Sequence, residues 1–299
     1  METTETHFSS QLRGTLLVTL SGLLYGFMGY FGTQLLHEHF SVFSMLFWRF
    51  FIAMLWVLAT ALWMRKNIFK NLGKRSTLIR TLLLSAASYS GAPACFFLAS
   101  QYTGTGVAMV IFFCFPVFVT LFAWATTNWQ MNRFAASSLF AIILGLILLK
   151  GHGSHALNLS GIFLAILSGL SYAVYVFSSK YNSKQNIDSH LLTFLVCFGS
   201  SLIFLLISCA TNTFNVPHSW HAWVYTCTLG IVVTGIPIQL LLDGIKHVSH
   251  IKASILSVLE PVVTLLVGVA LLNESMSSVQ AVGVMVVLLG AILIQFERQ

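Results

Sequence analysis

ASILSVLEPVVTLLVGVALLNESMSSVQAVGVMVVLLGAILI, from Ala253 to Ile294, is two apolar runs joined by a short polar turn. Each run comes close to the roughly 20 residues that a helix needs to cross a bilayer core of about 30 Å. The stretch therefore reads as a hairpin of two membrane spans. Inside the first run an acid stands directly before a proline, Glu260-Pro261. It lies about ten residues into its span, or about 15 Å at 1.5 Å per residue, which is near the midplane. A carboxylate at that depth costs about 2.5 to 3.5 kcal/mol on insertion scales and usually faces a bundle interior or a watery cavity.

The same ruler applies to the whole chain. Of 299 residues, 57% are hydrophobic and 8% charged, about a third of the charged share of a soluble domain. Ten candidate spans result, near 13–35, 42–63, 77–100, 103–126, 132–150, 157–179, 190–210, 220–243, 250–272 and 277–295. Their loops are too short to hold a soluble domain. The net charge of +7 does not point to nucleic acid, because of where the charges fall. Of the 15 Lys and Arg, Lys150 lies on one face and Arg49 inside span two. The rest, from Arg13 to Arg298, fall on the other face. Such a bias places that face, and both termini, in the cytoplasm. The first residues are polar and acidic, without the cationic start of a secretory signal, so span one is expected to be a retained helix.

A repeat organises these spans. GTLLVTLSGLLY (Gly14 to Tyr25) recurs as GIFLAILSGLSY (Gly161 to Tyr172), an offset of 147. CFPVFVTL from Cys114 aligns with LEPVVTLL from Leu259 through Pro116 and Pro261, and the same offset of 145 relates Gly145 to Gly290. Pro93 and Pro237 pair with a one-residue shift. The expected fold is all-α and integral to the membrane: ten transmembrane helices as two five-helix repeats, 13–150 and 157–295. Five is odd, so the second copy enters the membrane inverted, the arrangement with which many transporters open one site to either side.

Each proline removes a helical hydrogen bond, at about 3 kcal/mol or more in an ordinary helix. Pro93, Pro116, Pro237 and Pro261 are therefore read as bending spans three, four, eight and nine around a shared cavity, although prolines are also commoner in membrane helices generally. Gly22, Gly26 and Gly29 share a face of span one, as Gly283 and Gly290 do in span ten; packing contacts of the small-residue kind are the reading there.

Ala253, Ser257, Glu260 and Thr264 lie on one face at helical spacing, an inward polar stripe. The corresponding first-half face is Ala108, Phe112, Phe115 and Val119. A pocket with one ionisable wall and one aromatic wall follows. Burial penalises the charged form of any carboxyl, so Glu260 suits binding a substrate amine when charged or carrying a proton when neutral. A structural acid paired to a neighbouring helix is the competing reading. Tyr25 and Tyr172 are repeat-related, each four residues after a serine, and pair an apolar ring with a polar tip; Tyr89 and Trp124 are lesser candidates. Arg49, close to the external face, is expected to snorkel as an anchor or ion-pair partner. Asp243 beside Lys246 reads as an interfacial charge pair. The cysteines Cys95, Cys114, Cys197, Cys209 and Cys227 lie in spans without metal-ligand spacing and read as packing residues. Paired external histidines such as His37 and His39 read as loop polarity. No metal and no cofactor are expected.

Leu259-Glu260-Pro261-Val262, then Leu272-Asn273-Glu274, Gln280, Gly283 and Gly290, resembles the end of an EamA-type repeat of the drug/metabolite transporter superfamily, and Trp48-Arg49-Phe50 resembles that family's second helix. The resemblance covers nearly the whole chain. It implies a ten-helix transporter with a central cavity that moves small metabolites, such as amino acids or related solutes, often outward across a bacterial inner membrane. The chain departs from the pattern in carrying Trp129 where the counterpart of Glu274 would stand, and in lacking an acid in span one. Secondary transport by alternating access, as exporter or exchanger, is the leading expectation. An integral-membrane enzyme acting on a lipid or isoprenoid is the alternative, and a channel or receptor a third. The expected partners are a small-molecule substrate and the bilayer, with pairing into a homodimer left open.

Overall fold

The computed structural model describes residues 2–64, 75–126, 133–149, 158–183, 189–244, 247–248, 256 and 259–293. Among them there are helices and no strands. In chain order these are α1 (Glu2–Gly26), α2 (Met28–His37), α3 (Val42–Trp63), α4 (Arg75–Thr103), α5 (Thr105–Phe112), α6 (Phe115–Thr126), α7 (Arg133–Leu149), α8 (Leu159–Ser183), α9 (Ser189–Ala210), α10 (Trp220–Cys227), a π-helical segment (Thr228–Gly235), α11 (Ile236–Gly244), α12 (Leu259–Leu271) and α13 (Ser278–Leu293).

Four described stretches are long and apolar enough to cross a membrane: Gln11–His37, Val42–Trp63, Thr193–Ala210 and Trp220–Leu241. Shorter apolar helices accompany them, including Leu259–Leu271 and Ser278–Gly290. Their outer faces are apolar too. On α1, Leu16, Leu20 and Leu23 are exposed, as are Val282, Met285 and Leu289 on α13. Helices that are apolar all round belong in a lipid environment, where such faces meet acyl chains rather than water.

The helices pack in pairs drawn from opposite halves of the chain. α4 runs along α8, α7 along α13, α3 along α9, α1 along α11 and α5 along α12. Small residues allow the closest approaches: a Cβ on Gly145 of α7 would stand 2.5 Å from Val287 Cγ2 and 2.9 Å from the Gly283 carbonyl of α13. On α1 and α2, a Cβ on Gly26 would meet Val263 at 2.5 Å and one on Gly29 would meet Thr105 at 2.8 Å, so that glycine face seats α12 and α5.

The prolines mark irregularities. The α5–α6 break at Phe113-Cys114 falls just before Pro116, which occupies the second position of α6, where a missing N–H leaves no helical bond unmade. Pro237 is likewise the second residue of α11 and follows the π-helical segment, while Pro261 is third in α12 and buried. Pro93 differs by standing inside the continuous α4. The side chain of Pro116 lies outside the described residues.

Candidate functional site

A cavity of about 140 Å³ opens where α1, α3, α4, α5, α8, α11 and α12 converge. Both halves of the chain contribute walls, and one of them is aromatic. Tyr172 of α8 is its hub, with ring centroids 5.3 Å from Phe112, 4.8 Å from Phe115 in an edge-on contact, and 6.3 Å from Tyr89. Rings in such contact hold one another in place. Tyr25 of α1 lines the cavity from the other side, and Pro93 exposes part of α4 to it.

Glu260 supplies the acid at the lining, from the first turn of α12. It is an electrostatic neighbour of Tyr25, Tyr89 and Tyr172. Arg49 also lines the cavity, so its side chain points inward rather than snorkelling as expected. It is 2% exposed. Its Nε donates to Thr234 Oγ1 at 2.9 Å, its Cζ lies 5.2 Å from the centre of the Phe50 ring, and its Nη1 has no hydrogen-bond partner among the described residues.

Local structure explains how Arg49 reaches this place. Trp48 Nε1 and Ser44 Oγ both donate to the Asn215 carbonyl, at 2.9 and 2.8 Å, and so tie the chain ahead of α10 to the first turns of α3. A Cβ on Gly230 would meet Ile52 at 2.7 Å, so only glycine lets the π-helical segment lie this close to α3. Within that segment Thr234 Oγ1 donates to the Leu229 carbonyl five residues back, at 2.7 Å, and accepts from Arg49. π-Helical turns of this kind recur at functional sites. Snorkelling presupposes a side chain on the lipid face, whereas Arg49 points inward; the cost of a cation inside an apolar span was the sequence signal for that.

The two serines of the repeat serve the frame. Ser21 of α1 donates to the Pro237 carbonyl of α11 at 2.8 Å, and Ser168 of α8 donates to the Ala92 carbonyl of α4 at 2.6 Å. The serines are repeat-related, and their acceptors lie at or beside the paired prolines. The tyrosines four residues on are left to the cavity. Thr264, expected on the polar stripe, instead donates to the Gly26 carbonyl at 3.0 Å and is absent from the cavity lining. Ser257 and Trp129 lie outside the described residues.

Away from the cavity, the Glu274 carboxylate caps α5. Oε1 accepts from the backbone N–H of Thr105 and, at 2.8 Å, from its hydroxyl, while Oε2 accepts from Gly106 N–H at 3.1 Å. A carboxylate there answers the free N–H groups and positive end of the helix. Gly104, with φ of 81°, turns the chain out of α4, and a Cβ on it would sit 2.9 Å from Glu274.

An all-helical apolar bundle with a buried, partly charged cavity has the form of a membrane carrier, and the relatives agree. The EamA-like transporter family matches residues 12–150 and again 159–296. The chain belongs to that family and is an integral membrane protein. Similar proteins include an uncharacterized transporter of Archaeoglobus fulgidus, 28% identical over 72% of this chain and 76% of its own length. Another is the uncharacterized transporter YxxF of Bacillus subtilis, 24% identical over 97% of this chain and 93% of its own. A crystal structure with 15% identity superposes with a TM-score of 0.66 over 94% of this chain and 95% of that one, which is a likeness of fold.

Proposed function

We propose that this protein is a secondary transporter that moves small amphiphilic metabolites, amino acids or related solutes, by alternating access, as an exporter or exchanger. The observation that carries this reading is the shared cavity. Repeat-related Tyr25 and Tyr172 meet at it from opposite halves, together with Glu260.

The architecture we propose is ten spans in two inverted repeats, 13–150 and 157–295. Two successive family matches of that size support it. So do the packing pairs: α1 with α11 becomes α8 with α4 when the halves are exchanged, and α3 with α9, α5 with α12 and α7 with α13 map onto themselves. Odd-numbered repeats related in this way give a bundle two near-equivalent arrangements, one open to each side. Basic residues gathered on one face put both termini in the cytoplasm, in our reading that of a bacterial inner membrane. Glu260 binds a substrate amine or carries the coupling proton.

Counterflow in proteoliposomes with a metabolite panel, with and without a pH gradient, tests this directly. At least one solute should exchange. Verified, oriented vesicles in which none does would overturn the proposal.

A further inference from the structure

We infer that Arg49 is the specificity-determining residue of the cavity, receiving a carboxylate on the transported solute. This rests on the reading of the cavity as the transport site. A guanidinium taken out of water and into an apolar bundle is costly unless hydrogen bonds and a negative charge answer it. Arg49 has only part of that answer. Thr234 and the ring of Phe50 are neutral, and Nη1 has no acceptor among the described residues. Glu260, the acid in the cavity lining, interacts with Arg49 electrostatically, yet among the described residues no hydrogen bond joins the two.

The planar fork of a guanidinium matches the two oxygens of a carboxylate. The Thr234 contact holds the Nε edge of that fork, so the guanidinium at the cavity lining is partly ordered before a carboxylate binds. Charge bookkeeping narrows the class further. When Glu260 is in its charged form opposite the positive Arg49, a solute bearing both a carboxylate and an ammonium leaves the loaded cavity neutral. An amine without a carboxylate leaves Arg49 unanswered, and a carboxylate without an amine does the same to Glu260. The apolar remainder of the solute lies against Phe112 and Phe115.

The test uses ligand pairs that differ at one group. Thermal stabilisation of the purified full-length protein is measured with the twenty protein amino acids. For each one that stabilises, its amide and its deaminated acid are titrated in turn. The acid form should bind at least about 30-fold more tightly than the amide, the scale of one charge-assisted pair. Arg49→Gln should bring the acid-to-amide ratio close to one. Thr234→Val, which removes the neutral tie and leaves the guanidinium, should keep the ratio above tenfold.

Equal binding of acid and amide by the unaltered protein would overturn the inference, as would selectivity that survives Arg49→Gln. Should Arg49→Gln fail to fold, the ligand pairs on the unaltered protein still decide. Stabilisation by none of the amino acids also counts against the inference. Counterflow of a solute lacking a carboxylate would refute it while leaving the transport reading standing, whereas counterflow of nothing removes both.

Discussion

Where the second half brings Glu260 to the cavity on α12, the first half brings Phe112 and Phe115, at the end of α5 and the start of α6. The two regions are related by the repeat, and each packs against the other. Their frames are built alike: a serine of α1 holds a carbonyl of α11, and its partner on α8 holds a carbonyl of α4. The comparison teaches that symmetry lives in contacts made to backbone, which any side chain can leave undisturbed. Of the cavity-facing side chains, Tyr25 and Tyr172 match across the halves, whereas Glu260 stands where the first half has Phe115.

The sharpest way to break this comparison is to make the two walls alike. Glu260→Gln should abolish or uncouple transport while the protein still inserts, measured as counterflow with and without a pH gradient. Unchanged rates and pH dependence would remove the acid from the mechanism, and loss of folding would make it a structural group. A strong effect on the frame is expected next. Gly145→Val places a side chain where Val287 and the Gly283 carbonyl already stand, so α7 and α13 must part, at about 1 to 3 kcal/mol. Thermal unfolding in detergent reads this as a lower Tm.

The serines give the most direct comparison of the halves. Ser21→Ala and Ser168→Ala each remove one buried interhelical hydrogen bond, at about 1 to 1.5 kcal/mol. The two losses of stability should agree closely; a large loss from one and none from the other would show that the halves do not share a frame. Smallest of all, Glu274→Gln removes the charge that caps α5, at about 1 kcal/mol, seen as a small fall in Tm that added salt diminishes.

Much of the site was legible because it depends on depth and repetition. Glu260 stood out as an acid well inside an apolar run, and the match between Gly14–Tyr25 and Gly161–Tyr172 singled out two tyrosines that line the cavity. Thr264 was misplaced for a definite reason. It shares a helical face with Glu260 at a spacing of four, but one turn further along α12 that face meets the Gly26 carbonyl of α1 rather than open space. A helical wheel gives direction and says nothing of where the neighbouring helix crosses. The Glu274 cap was illegible too, since its partners Thr105 and Gly106 lie 169 and 168 residues away.

By itself the sequence determined that this chain is an apolar, helical membrane protein and which of its segments resemble one another, because apolar length and self-similarity are properties of the chain alone. Tertiary structure decided which polar side chains share a cavity. Arg49 became part of it because the glycine-bearing π-helical segment packs against α3 and presents Thr234 to its Nε. That outcome depends on how two distant segments cross, and no local pattern in either one records it.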